Sequence, residues 1–253
     1  MFPNIYFRWL GVAGIELEVD GQIILIDPFF SRPSLWEVCF GRPQPDSKLI
    51  QQSIKHCQHI FITHPHYDHL MDVPEILKNT GATVYGSNNT CTLLKILGVP
   101  TRQIKPIRTN DHLSLEGLSL KVLSGIHTST PLDSLITGPL PSNLRPPLRA
   151  FDYKMDECFS FLIQFDDLPM LVGEASIPAK VWFLKPWLKF QTFEAICAKV
   201  NPQLIVLIHW DNFFQPLKQS PRARFREVNF SQIIFRRINL TKFMQKVSQF
   251  APM

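Results

Sequence analysis

Cysteine is sparse in this chain: five residues in 253, an odd number, widely spaced and without a C-x-x-C pair. That pattern suggests neither a disulfide framework nor a cysteine zinc site, and it fits a reducing compartment. No apolar run approaches the ~20 residues that a membrane-spanning helix needs. The start, MFPNIYFRWLG, lacks a basic stretch followed by a long apolar run and a cleavage site. It reads as a first strand rather than a secretion signal, and the expected location is the cytoplasm. Glycine is modest at 11 residues while proline is frequent at 21, which points to long ordered loops.

Apolar residues make up 45% of the chain and charged residues 19%, a globular rather than a disordered composition. No linker-like stretch divides it, so one domain over residues 1–253 is expected. The formal net charge is +5 and the isoelectric point about 9.0. That balance favours phosphates, carboxylates or anionic membrane surfaces without selecting among them, and ordinary solubility accounts for it equally well.

Hydrophobic periodicity sets out the elements. Residues 15–19 (IELEV) alternate, Asp20-Gly21 makes a hairpin turn, and a strand over 23–27 ends at Asp27-Pro28. Residues 31–58 read as irregular. A short strand at 60–62 leads into a histidine cluster, and a helix is predicted over 70–79. A strand at 84–85 and a helix over 89–97, closed by Gly98, come next. Strands are predicted near 104–107, 113–115 and 118–124. Residues 128–156 are proline-rich and read as an ordered loop. Strands return at 158–165 and 169–172, and a helix at 192–200. Leu204 to Ile208 (LIVLI) reads as a strand buried on both faces. Residues 239–249 read as an amphipathic helix. Strands and helices alternate in two similar halves, which predicts an α/β fold, a four-layer αββα sandwich.

Five predicted strands run directly into a potential metal ligand: ILID27, IFITH64, VLSGIH127, MLVGE174 and LIVLIH209. Polar groups at several strand ends make a site on a rigid frame. The sharpest element is His64-Pro65-His66-Tyr67-Asp68-His69. Imidazole and carboxylate suit zinc, manganese or iron. His64 and His66 can bind one ion together, and Asp68 and His69 can turn toward a second. The competing readings are a histidine-rich surface loop for the cluster and satisfied core histidines for His127 and His209. His56, His59 and His112 lack this placement and read as ordinary surface or structural residues.

The H-x-H-x-D-H element, the later single histidines at strand ends, and the opening Trp9-Leu10-Gly11, Gly14 and LIDPFF (25–30) resemble the metallo-β-lactamase superfamily. Within it the opening is similar to the branch of L-ascorbate-6-phosphate lactonase and the N-acyl-phosphatidylethanolamine phospholipase D enzymes. The resemblance covers residues 9–213. It implies that His64, His66 and His127 hold one divalent ion, and that Asp68, His69 and His209 hold a second. Zinc comes first among the candidates, with manganese or iron as alternatives. Asp27 would hydrogen-bond a ligand imidazole, although capping of the following turn is a rival role. Where the family has Gly-Asp, with the aspartate bridging the metals, this chain has Gly173-Glu174. Glu174 is expected to ligate the second metal. The alternative is an outward salt bridge beside a mononuclear site.

The expected reaction is hydrolysis of an ester, lactone or phosphodiester by a metal-activated water, with Asp68 as the catalytic residue that orients the water or takes its proton. Residues 128–156 carry Leu132, Leu135, Ile136, Leu140, Leu144, Leu148 and Phe151 with Arg145 and Arg149. They can wall a pocket for a small-molecule or lipid-like anionic substrate, or simply cover the core. Arg222, Arg224, Arg226, Arg236 and Arg237, interleaved with Phe225, Phe230 and Phe235, allow peripheral membrane contact, but fit a solvated face with a buried stripe at least as well. A nuclease is the alternative enzyme, and a short chain without an evident substrate-binding addition argues against nucleic acid as partner. A non-catalytic binding protein on the same fold is the third class. Oligomeric state is not legible.

Overall fold

The computed structural model describes residues 5–127, 132–186 and 190–214. They fall into two compact units. The first holds residues 5–108, 132–158 and 213–214, and the second holds 109–127, 159–186 and 190–212.

The first unit opens with β1 (Ile5–Gly11), β2 (Gly14–Val19) and β3 (Gln22–Ile26), which pair antiparallel. Asp20 and Gly21 both have positive φ, 48° and 83°, as a two-residue hairpin turn matched to strand twist requires. In β2 the apolar residues Ile15, Leu17 and Val19 are buried and the glutamates between them only half-buried, the alternation legible in IELEV. β4 (His59–Phe61), β5 (Thr83–Gly86) and β6 (Ile104–Pro106) then extend the sheet in parallel, in the order β1-β2-β3-β4-β5-β6.

Helices lie between the parallel strands. Residues 31–58, expected to be irregular, contain α1 (Leu35–Phe40) and α2 (Ser47–Ser53). Ser34 and Glu37 close a reciprocal capping box on α1, and Asp46 caps α2 by accepting from the Leu49 N–H at 2.9 Å. Both cap signals are present in the sequence, and the surrounding prolines obscure them. The single helix expected over 70–79 is two: α3 (Tyr67–Leu70) and α4 (Val73–Thr80). Pro74 brings no N–H to continue the ladder. At the junction the Asp72 side chain turns away to accept from the N–H groups of Phe30 (2.6 Å) and Ser31 (2.8 Å). α5 (Asn88–Ile96) matches its expectation, with Ser87 as N-cap. Val73, Ile76 and Leu77 of α4 and Leu93 and Leu94 of α5 pack with Leu25, Ile60 and Val84 of the sheet.

The described part of the proline-rich segment belongs to this unit. It contains α6 (Asp133–Ile136), a bridge between Thr137 and Met155, and a 3-10 turn at Ala150–Asp152. Leu148 and Tyr153 are buried in the unit's core, with Leu140 and Leu144 packed against it. Arg145 and Arg149 are exposed. For these leucines the segment is core cover.

The second unit is built on β7 (His112–Leu115), β8 (Leu118–Ser124), β9 (Phe159–Phe165) and β10 (Leu168–Val172), paired antiparallel in sequence. β11 (Val181–Leu184) and β12 (Leu204–Leu207) then add in parallel, giving the order β12-β11-β10-β9-β8-β7. β11 has no counterpart in the sequence expectations: four residues, Val-Trp-Phe-Leu, show no periodicity to read. α7 (Phe190–Val200) follows. Its Phe193, Ile196, Cys197 and Val200 pack with Leu171, Trp182, Leu184 and Ile205, and the Trp182 and Phe193 rings stack at 5.8 Å. β12 was expected to be buried on both faces. Within it only Ile205 is fully buried, because β12 ends its sheet among the described residues.

Both sheets are mixed and helices accompany them, which is the expected α/β fold. None of the five cysteines is in a disulfide. The helix expected over 239–249 and the arginine-rich tail lie outside the described residues.

Candidate metal centre

In the first unit β3 and β4 run parallel, so Asp27 and the Thr63–His64 step leave the same edge of the sheet. The Asp27 N–H donates to Phe61 O (3.0 Å) and the Ile62 N–H to Tyr85 O (2.9 Å), which carries the ladder up to the histidines. His66 then serves as N-cap of α3, and Asp68 and His69 lie within that helix. His64, His66, Asp68 and His69 are all buried, so the cluster is no surface loop. Ring centroids of His64 and His66 are 4.5 Å apart, and those of His64 and His69 are 3.9 Å apart.

The hydrogen bonds define the state of each imidazole. As a carboxylate, Asp27 can only accept. Its Oδ1 takes the Thr63 N–H at 2.8 Å, and its Oδ2 takes the Thr63 hydroxyl at 2.5 Å. With its proton so committed, the Thr63 oxygen accepts from His64 Nδ1 at 3.0 Å. Asp27 Oδ2 also lies 2.8 Å from His69 Nδ1. The His66 Nε2 donates to the carbonyl of Ile136 at 3.1 Å. In the neutral rings the lone pairs therefore sit on Nε2 of His64, Nδ1 of His66 and Nε2 of His69. Burial is the main cause that holds His66 below the ordinary histidine range, so its ring stays neutral, as a ligand must be. Asp68 Oδ2 is 3.5 Å from His69 Nε2. Donors of these types in these tautomers fit divalent zinc, manganese or iron.

In the second unit β8, β10, β11 and β12 run in one direction, so residues that follow them leave the same sheet edge. His127 comes after β8, Glu174 after β10 and His209 after β12. His127 and His209 are half-buried and Glu174 is buried. Gly173 turns the chain with φ +98°, its N–H donating to Phe183 O and its carbonyl accepting from Trp182 Nε1 at 2.8 Å. His209 is itself left-handed, with φ +60°. Glu174 Oε2 lies 3.4 Å from Lys185 Nζ, so the carboxylate points inward onto a cation and not out to solvent. Burial pushes the Glu174 carboxyl above its usual range, and Lys185 opposes that rise.

Three supporting residues had no sequence prediction. Thr63 relays the Asp27 carboxylate to His64, Asp72 ties the Phe30–Ser31 backbone to α4, and Lys185 meets Glu174. Lys185 follows a strand in the same manner as the predicted ligands, but the four residues of β11 carry no pattern that marks it as one. His59 is half-buried beside Tyr85, and His56 and His112 are exposed, as expected for residues outside the site.

Each unit is built on a mixed sheet, and the first carries a buried cluster of neutral histidines and an aspartate beyond its strand ends, the donor types of a metal site. The chain belongs to the beta-lactamase superfamily: the family model described as "Beta-lactamase superfamily domain" matches residues 22–166. A UPF0173 metal-dependent hydrolase of Methylocella silvestris is 31% identical over 121 residues, 48% of this chain and 47% of that protein. Another, from Methanopyrus kandleri, is 27% identical over 229 residues, 87% of this chain and 90% of that protein. The chain spans about half the length of the first curated relatives it matches. Among solved structures, a metallo hydrolase of Ignicoccus hospitalis shares the fold, with a TM-score of 0.63 at 19% identity over 98% of this chain and 93% of that one. Among the described residues no helix is long and apolar enough to cross a membrane.

Proposed function

We propose that the protein is a single-domain, cytoplasmic, metal-dependent hydrolase. Its substrate is a small or lipid-like anionic ester, lactone or phosphodiester, as in the lactonase and phospholipase D branch that its opening resembles. His64 through Nε2 and His66 through Nδ1, with His127, hold one divalent ion. Asp68 and His69 through Nε2, with His209, hold the second, and Glu174 is added to that set from its place after β10. Zinc is the first choice, ahead of manganese and iron. The observation that carries this reading is the tautomer pattern: three neighbouring buried imidazoles each commit one nitrogen to a protein group. The names of the relatives, metal-dependent hydrolases, support it.

Such ions lower the pKa of a water toward neutrality and neutralise charge that develops on a substrate oxygen. Asp68 is the catalytic carboxylate, orienting the attacking water or receiving its proton at Oδ2. Asp27 and Thr63 hold the His64 and His69 imidazoles in their tautomers throughout, and the Ile136 carbonyl holds that of His66. Leu132 and Leu135, both exposed beside His66's partner Ile136, are suited to contact an apolar part of the substrate.

One observation favours a second reading. Lys185 already neutralises Glu174, which fits a mononuclear centre with Glu174 outside it.

Elemental analysis with a panel of generic esters, lactones and phosphodiesters tests both. The expected result is two ions per chain and turnover, with His66→Ala losing most of the metal. Glu174→Ala should lower stoichiometry and rate together, and Glu174→Asp should retain part of both. One ion per chain, unchanged in Glu174→Ala, selects the mononuclear reading. Full metal content in folded His66→Ala overturns the assignment.

A further inference from the structure

Lys185 stands one residue past β11 and level with Glu174. The parallel register pairs Val172 with Phe183, so Glu174 and Lys185 leave the sheet side by side. The side chain is largely covered, with 18% of its surface exposed against 3% for Glu174. A buried carboxylate without a cation is costly, and Lys185 supplies one at 3.4 Å from Oε2. The same ammonium donates to the carbonyl of Ile126 at 3.0 Å. β8 ends at Ser124, so residues 125–127 have left the ladder, and Ile126 O is held by Lys185 instead. Ile126 directly precedes His127. The other oxygen of Glu174, Oε1, is buried and has no hydrogen-bond partner among the described residues.

We infer that Lys185 is a positioning residue that sets two metal ligands of the second unit at once, clamping Glu174 through Oε2 and the backbone before His127 through Ile126 O. The inference rests on the metal-centre reading above and extends it to a residue that touches no ion. Each partner takes a different proton of the ammonium, which has three donors in all. The clamp leaves Oε1 as the ligating oxygen of Glu174. It links the ends of β8, β10 and β11.

The test is competition titration of zinc against a chromophoric chelator, using purified full-length parent, Lys185→Met, Lys185→Arg and Lys185→Gln, with unfolding followed on the apo proteins. Lys185→Met is expected to weaken zinc binding by roughly 10–100-fold, the range for lost partners of metal ligands. Lys185→Arg should recover most of the affinity, because a guanidinium can serve both a carboxylate and a carbonyl. Lys185→Gln keeps a donor for Ile126 O without the charge, and provides the measurement should the methionine variant fail to fold. Its affinity is expected between those of the methionine and arginine variants. Parent-like zinc affinity in folded Lys185→Met or Lys185→Gln overturns the clamp and leaves the metal centre standing. A parent that binds no zinc, manganese or iron overturns both.

Discussion

Oδ2 of Asp27 lies 2.8 Å from Nδ1 of His69, and that one carboxylate also receives both donors of Thr63. Three hydrogen-bond donors converge on two buried oxygens 36 residues or more away in the chain. An amide in this place offers one acceptor and presents an NH2 group to donors. Asp27→Asn should therefore reduce metal affinity by roughly 10–100-fold. It should also destabilise the metal-free protein by about 1–3 kcal/mol, the cost of buried unpaired polar groups. Chelator competition and urea unfolding read the two effects, and a variant with parental metal affinity would deny Asp27 its role in holding the ligands.

Gly173 admits no side chain. A Cβ there would meet Ser160 Oγ at 2.5 Å, and the backbone φ is +98°. Gly173→Ala should lose about 1–2 kcal/mol to the left-handed backbone and about 1–3 kcal/mol to overpacking. Adding Ser160→Gly should restore the second part and not the first. Urea midpoints of the two variants test this. A fully stable single variant would mean that the turn before Glu174 relaxes freely.

Asp72 gives the expected pH dependence. Burial is the largest influence and pushes its carboxyl up, against the N–H groups of Ser31 and Phe30 and the charge of Arg32. A carboxyl whose folded pKa is raised contributes stability that is complete below its unfolded value and is lost as pH rises through the folded value. Asp72→Asn keeps an acceptor for both N–H groups and removes the titration. The stability of the parent relative to this variant should therefore fall as pH rises from about 4, then level off above the folded pKa. Unfolding of both proteins across pH 4 to 8 measures the difference, and a constant difference would exclude Asp72 as the titrating group.

The segment after β8 divides into two roles that substitution can separate. Leu148 is buried in the core of the first unit, so Leu148→Ala should cost about 2–5 kcal/mol. Leu135 is 52% exposed, so Leu135→Ala should leave stability nearly unchanged and raise KM for substrates with an apolar part. Thermal unfolding and a substrate panel decide between the roles. If KM is unchanged for every substrate turned over, Leu135 takes no part in substrate contact.

The histidine cluster was legible because six consecutive residues carry it, directly after a strand whose apolar run is equally local. Asp27 and Glu174 were legible for the same reason, as polar ends of short apolar runs. Lys185 was not, since β11 is four residues without a pattern, and only its neighbours in the sheet make it a strand. The division of 70–79 into α3 and α4 was hidden for a different reason. Pro74 is visible, but the hydrogen bonds that turn Asp72 aside come from Phe30 and Ser31, more than 40 residues earlier. The leucines of the proline-rich segment show the limit from the other side. Composition alone does not say which of them faces a core.

Asp27 and His209 share a property that bears on how this protein can be altered. Each is a non-glycine residue in left-handed backbone just past a strand, with φ +46° and +60°, a conformation that costs about 1–3 kcal/mol at such positions. At 27 the three donors that converge on the carboxylate oppose any exchange, but a library selected for thermal resistance alone would enrich glycine or asparagine at 209. The survivors would fold better and lose an imidazole from the proposed centre. At that position selection for folding and selection for chemistry pull in opposite directions, and only a screen that scores metal retention alongside melting would keep the histidine in place.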